Sequence, residues 1–324
     1  MSIVSGAKVT LLGVCVIDIL GRPIEELPKG QKSHLLDEIR ATVAGTAGGT
    51  SIDLARLGAD VTVVSAIGED LLGDLMIESL SREGVTPRLV RKSGFQTSAT
   101  ILPIHPDGSR PAWHVPGAYR EFGPDDIPAD AIEGRGVVHY GGFTALPLLD
   151  GAPAAEILRR ARAAGAFTTA DCLGIKRSDT DQLLEEMLPE VDLFLPNRAE
   201  ALALTGCADV FDAARRLREL GAGSVIVTCD EDGCLISDAD GERTQPAYVA
   251  PVVDSTGCGD AFSAGVMVAT QSGQSVDEAA SFGMACASLI LGQLGSVDGI
   301  RSLDQVLEWQ ENAVKAPDVL GRVG

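Results

Sequence analysis

The chain has 324 residues, 45% apolar and 22% charged, with 26 basic against 46 acidic residues and a formal net charge of -20. That length and composition suit one large globular domain. No basic cluster longer than a pair interrupts the acidic balance, which argues against a nucleic-acid or membrane-surface partner but leaves room for a small anion held by backbone N–H groups.

In chain order, the first apolar run, "VTLLGVCVIDIL", carries Asp18, has only Lys8 before it and lacks a cleavage pattern after it, so it reads as a buried strand rather than a signal segment. "IRATVAGTAGG" reads as extended, "TSIDLARLG" as helix, "VTVVSAIG" as strand and residues 70–83 as helix. "TSATILPIHPDGSRPAWHVPGA" reads as a second extended stretch with a turn at "PDGS". The two extended stretches predict a small antiparallel sheet projecting from the main body. From about residue 150 helices and strands alternate: "APAAEILRRARAAG", "AFTTAD", "DTDQLLEEML", "VDLFLPN", "DAARRLRELG", "SVIVTCD". Strands separated by helices of this length predict a right-handed parallel sheet covered on both faces. From Ala261 onward the pattern is helical. The seven cysteines are odd in number, scattered and without zinc-ligand spacing, which fits a reducing, cytoplasmic setting.

The chemistry concentrates in "VAPVVDSTGCGDAFSAGVMVAT". A β-branched extended run leads through Gly257 and Gly259 into an apolar segment at helical spacing. Glycines let successive N–H groups face one point, and the following helix adds the positive end of its dipole. Such a nest suits phosphate, although a plain glycine turn gives the same pattern. Asp260 is informative because a carboxylate in an anion nest repels the ligand unless the chemistry needs it. A hydroxyl attacking phosphorus there needs a proton acceptor. The competing reading of Asp260 is a first-turn aspartate that complements the helix dipole.

On these residues the sequence resembles the ribokinase-like (PfkB) carbohydrate kinases. "DSTGCGDAFSAGV" is similar to their D-T-x-G-A-G-D signature, with Ser255 for threonine and Cys258 for alanine. "AGTAGGTSIDLARLGADVTVVSAIGEDLLGD" resembles the N-terminal signature through Gly48, Gly49, Gly68, Asp70 and Gly73, with Asp53 where asparagine is common. "LFLPNRAEALALTG" resembles N-x-x-E, and "VIVTCDEDGCLI" resembles T-x-G-x-x-G with Asp230 at the first glycine.

The resemblance implies a three-layer αβα sandwich with a central, mostly parallel sheet and a small β-sheet lid. It would form a single domain over 1–324, with lid segments at about 14–46 and 95–118. It implies that Gly257, Cys258 and Gly259 form an anion hole and that Asp260 is the base. Asp18, Gly48, Gly49 and Asp53 would bind the acceptor, and Asn197, Thr228, Gly233, Gly257 and Gly259 would bind ATP. Glu200 and Asn197 would bear on Mg²⁺ through water, and Asp254 with the backbone of 292–296 on a monovalent cation such as K⁺. A homodimer through the lid is a further implication. Asp18 also reads as a strand-end turn aspartate, and Asn197 with Glu200 as a capping box, which is compatible with the metal role.

A Walker NTPase would need G-x-x-x-x-G-K-[ST], and a Rossmann dehydrogenase would need G-x-G-x-x-G after the first strand; neither is found. The expected activity is phosphoryl transfer from ATP to a sugar hydroxyl. A nucleoside kinase and a silent sugar or nucleoside binder on the same fold are the alternatives. Cationic contacts for an acidic acceptor would come from Lys176, Arg177 or Arg110. Trp113 and His114 lie on the presumed lid strand, and Cys258 at a helix start predicts a reactive thiol.

Overall fold

The computed structural model describes residues 3, 6–26, 28–106, 109–174, 176–292, 295 and 298–322. Its first apolar run forms two strands rather than one, β1 (Lys8–Gly13) and β2 (Val16–Arg22), which enter different sheets. The break falls at Gly13, where φ is +154° and a Cβ would lie 1.9 Å from the Gly141 carbonyl oxygen. β3 (Glu38–Ala44), α1 (Gly48–Arg56), β4 (Asp60–Gly68), α2 (Leu71–Arg82), β5 (Thr86–Lys92), β6 (Ala99–Pro103) and β7 (Trp113–Val115) complete the N-terminal third. After a single turn of helix, α3 (Ala129–Ile132), come β8 (Val137–Phe143), α4 (Ala152–Ala163), β9 (Phe167–Cys172), α5 (Thr180–Met187) and β10 (Leu193–Phe194). Then follow α6 (Arg198–Thr205), α7 (Val210–Glu219), β11 (Ser224–Thr228), β12 (Cys234–Asp238), β13 (Gly241–Gln245), α8 (Cys258–Gln271), α9 (Val276–Leu291) and α10 (Leu303–Asn312).

The main sheet runs β13-β12-β11-β10-β9-β8-β1-β4-β5. It is parallel from β11 to β5, with β12 and β13 antiparallel at one edge. Alternate strand residues sort to opposite faces. Val9, Leu11, Val63 and Val137 pack with Ile52, Phe262, Val266 and Phe282 of α1, α8 and α9. Leu12, Val64, Val138 and Tyr140 pack with Ile157, Leu158, Leu184 and Leu217 of α4, α5 and α7. The helices supply these side chains at helical spacing, as Ala154, Ile157, Leu158 and Ala161 do on α4. Two helical layers over a mostly parallel sheet make the three-layer sandwich.

The second sheet runs β3-β2-β6-β7. One register row carries Thr42, Asp18, Thr100 and His114; the next carries Ala41, Ile19, Ile101 and Trp113 on the opposite face. Asp107 and Gly108 of the expected "PDGS" turn lie outside the described residues. The extended run before Gly257 joins neither sheet; its nearest pairing is an isolated bridge between Tyr248 and Lys315. Chain connectivity, rather than a strand end, therefore leads into α8.

Candidate active site

Gly257 precedes α8 as its N-cap; its φ of +82° suits a glycine, and it offers no side chain to cap the helix. The amides of Gly259 and Asp260 fall in the first turn, where a helix has no internal acceptors. A Cβ added at Gly259 would meet nothing within 4 Å. The chain's own packing leaves that position open, and the space is of the kind a phosphoryl group fills. Cys258 departs from expectation. Its Sγ lies 3.6 Å from the Ala287 carbonyl oxygen, and burial followed by the Asp254 charge pushes the thiol up to about 12. Packing on α9 outweighs the helix dipole, so the thiol is not activated.

Asp260 follows, against the start of α1. Thr50 Oγ1 is 3.4 Å from Asp260 Oδ1, and a Cβ on Gly49 would come within 2.9 Å of Asp260 Oδ2. Gly49 thus makes room for the carboxyl, while Gly48 lets the chain pass Val43 and Cys15. Loss of water, then the Asp171 and Asp18 charges, pushes Asp260 up to about 8. Asp171 was not anticipated from sequence. It is the last residue but one of β9, accepts from the Gly142 amide at 2.7 Å and lies 3.4 Å from His139 Nε2. A strand-end aspartate inside a parallel α/β pattern was the available signal, since such ends line the crevice of these sheets.

Asn197 and Glu200 open α6 as a reciprocal capping box, each side chain accepting from the other's amide at 2.9 Å. Burial and then the Asp171 charge outweigh the Asn197 amide and push Glu200 up to about 7. Asn197 also bridges Thr228 at the end of β11. In the turn into β12, Asp230 takes a φ of +53° where the family signature has glycine. Gly233 is required there: its φ is +96° and a Cβ would lie 2.0 Å from the Gln245 carbonyl oxygen. Among the described residues no three acidic, histidine or cysteine groups form a metal cage. The surplus of carboxylates at Asp171, Glu200 and Asp260 fits a hydrated Mg²⁺ that takes most of its ligands from water and phosphate.

The small sheet lies over this site. Asp18, in the interior of β2 and 7% exposed, has Arg110, Asp254 and Asp260 as charged neighbours. Arg110, before β7, pairs with Asp254 at 3.3 Å and reaches Ser255 Oγ at 3.4 Å. Arg40 of β3 pairs with Asp298, and Leu20 of β2 approaches Gly295. Asp254 also accepts from the Thr256 amide and hydroxyl and from the Gly295 amide. With Arg110 and these donors on its carboxylate, Asp254 does not fit K⁺, and no step is assigned to that ion. Gln293, Leu294 and Ser296, within the expected cation backbone, lie outside the described residues.

Asp53 is not brought to an open surface. It is fully buried on α1, and neither oxygen has a hydrogen-bond partner. Trp113 faces away from Asp18 and cannot cover an acceptor there. Arg177 is engaged by Asp150 and Asp179, and Lys176 is exposed. Asp70 caps α2 and accepts from the Thr97 amide and hydroxyl, so the second half of the N-terminal signature anchors the base of β6.

A glycine-led helix start beside a half-buried carboxyl, at the carboxyl ends of parallel strands, suits a charged group in transit to an alcohol; this is the work of a phosphotransferase. A family profile described as pfkB family carbohydrate kinase matches residues 7–302, and the chain belongs to that family. It is 31% identical to the cytidine kinase of Thermococcus kodakarensis over 268 residues, 78% of this chain and 88% of that one. It is 26% identical to the aminoimidazole riboside kinase of Salmonella typhimurium over 316 residues, 92% and 93% of the two chains. A solved Arabidopsis thaliana ribokinase, complexed with ribose and ATP, aligns at a TM-score of 0.78 and 25% identity, covering 94% of this chain and 99% of that one. The protein is an ATP-dependent phosphotransferase of the carbohydrate-kinase type with the ribokinase fold. No helix among the described residues is long and apolar enough to cross a membrane.

Proposed function

We propose that the protein transfers the ATP γ-phosphoryl group to a hydroxyl of a sugar or riboside in the cytoplasm, with Asp260 as the base. The observation that carries this reading is the placing of the Asp260 carboxyl beside the open first turn of α8 at Gly259. Asp260 orients the acceptor hydroxyl and takes its proton, while the amides of Gly257, Cys258 and Gly259 meet the transferring charge. Thr228 and the Gly233 turn support the nucleotide. Mg²⁺, held through water by Asn197 and Glu200, would neutralise charge on the β- and γ-phosphates. Asp18, Gly48 and Gly49 bound the acceptor side. The small sheet acts as a lid that excludes water, because Arg110 and Arg40 tie it to the loops around α8 and α9. A second copy of the chain covers its outer face, where Ile39, Ile101, Trp113 and Val115 are exposed.

The two riboside-directed relatives named above favour a ribosyl acceptor. A pure binder would gain nothing from an anion in the nest. The test is a coupled ATP-consumption assay over ribose, ketohexoses, a keto-deoxy acid and nucleosides. Asp260→Asn is expected to lower kcat by about 10²–10⁴-fold with the best acceptor. A base must be ionised, so kcat/KM of the wild type should fall about tenfold per pH unit below about 8. Acceptor-dependent turnover that survives in Asp260→Asn would sink the assignment.

A further inference from the structure

The polar row on the inner face of the small sheet ends in a chain of hydrogen bonds. Thr42, Asp18, Thr100 and His114 are direct neighbours across β3, β2, β6 and β7. His114 Nδ1 lies 3.0 Å from Thr100 Oγ1, and His114 Nε2 lies 3.0 Å from the Tyr119 hydroxyl. Asp18 and Thr100 face each other directly across the β2–β6 pair, with the Thr100 hydroxyl close enough to serve as a donor to the Asp18 carboxyl. The direction of donation follows from which groups can donate. A carboxylate only accepts, so Thr100 donates to Asp18. Thr100 has one proton, so it must accept from His114 Nδ1–H. The neutral imidazole then has Nε2 as acceptor, and the Tyr119 hydroxyl donates to it. Partial desolvation, which holds the His114 imidazole below its ordinary range and the Tyr119 hydroxyl above its own, is consistent with both groups being neutral.

We propose that Thr100 and His114 are positioning residues that hold Asp18 as a fixed acceptor for two hydroxyls of the phosphoryl acceptor, and so select a neutral vicinal diol. The proposal rests on the kinase reading above. With Thr100 donating from one side, the remaining lone pairs of Asp18 can be filled only by donors. A vicinal diol supplies two from adjacent carbons. A carboxylate or phosphate supplies none, and Arg110, the cation beside Asp18, is already paired with Asp254. Thr42 Oγ1, next in the row, is buried without a hydrogen-bond partner and adds a place for a further hydroxyl.

Thr100→Val keeps the shape of the strand residue and removes the donor, while Thr100→Ser keeps the donor. In steady-state kinetics with the best acceptor, Thr100→Val should raise the acceptor KM about tenfold and leave the ATP KM unchanged. Thr100→Ser should restore the acceptor KM, and His114→Phe should raise it in the same direction. Because Thr100 acts through Asp18, adding Thr100→Val to Asp18→Asn should cost nothing more. An acceptor lacking one hydroxyl of the diol should bind wild type and Thr100→Val alike. The proposal is overturned if Thr100→Ser behaves as Thr100→Val, if the two losses add in the double variant, or if Thr100→Val leaves the acceptor KM unchanged. Turnover that Asp260→Asn abolishes shows the kinase reading intact whatever Thr100→Val does; a wild type that turns over no sugar or riboside overturns both.

Discussion

Asp53 sits fully buried on α1 with both oxygens unpaired, so the fold carries a carboxyl that it stabilises only in neutral form. Burial, then the Asp260 charge, holds it well above the ordinary carboxylate range. The sign of the linkage follows. Folded and unfolded chains are equally protonated at low pH, and stability is lost as pH rises from the unfolded value through the raised folded one. Asparagine keeps the shape and removes the ionisation. Asp53→Asn should therefore stabilise the protein by about 1–3 kcal/mol at neutral pH and by little near pH 4, seen as a gain in Tm that shrinks on acidification. Equal Tm for both chains at neutral pH would show that Asp53 has a partner there. The family resemblance put Asp53 among the acceptor-binding residues, but a motif match carries no depth. Asp171 was missed for a related reason, although its place near a strand end was readable. Its meaning comes from the pairing of β8 with β9 and the approach of α6, which are topological facts.

Two glycines of the family motifs do different work in their elements. At Gly233 the hairpin between β11 and β12 has positive φ and no room for a Cβ, so glycine is demanded by the fold itself. At Gly259 the first turn of α8 has ordinary helical backbone and empty space above it, so the fold demands nothing. Gly259→Ala should then leave Tm unchanged or raised, since alanine favours a helix by up to about 1 kcal/mol over glycine. The same methyl would enter the space proposed for the phosphoryl group, and kcat should drop at least about tenfold. A variant that keeps full kcat would move the phosphoryl group away from this turn. At this scale the alternation of helices and strands after residue 150 was readable because each period repeats over a whole element. The break between β1 and β2 was not, since "LLGVCVI" holds no polar residue or proline. The contact of Gly13 with Gly141 imposes it from a strand 128 residues away.

For the whole molecule, the small sheet turns its polar row inward and its apolar row outward. Ile101 is 54% and Trp113 50% exposed, with Ile39, Ala41 and Val115 beside them. A soluble chain seldom leaves a contiguous apolar face of this kind uncovered. Two copies meeting through it would bury the same residues on each side, as a two-fold interface does. The formal charge of -20 on each copy opposes that meeting. The face itself is uncharged, so the opposition is long-range and should be screened by salt. The dimer should therefore strengthen as ionic strength rises, whereas an interface built on ion pairs would weaken. A lysine at Trp113 or Ile101 puts a charge into the desolvated centre and should yield a monomer, read by light scattering across a protein concentration series. Because these side chains point away from Asp18, the monomer should bind acceptor as the parent does unless pairing is what holds the lid in place. A wild type that stays monomeric at high salt and high concentration would refute the assignment of this face to a second copy.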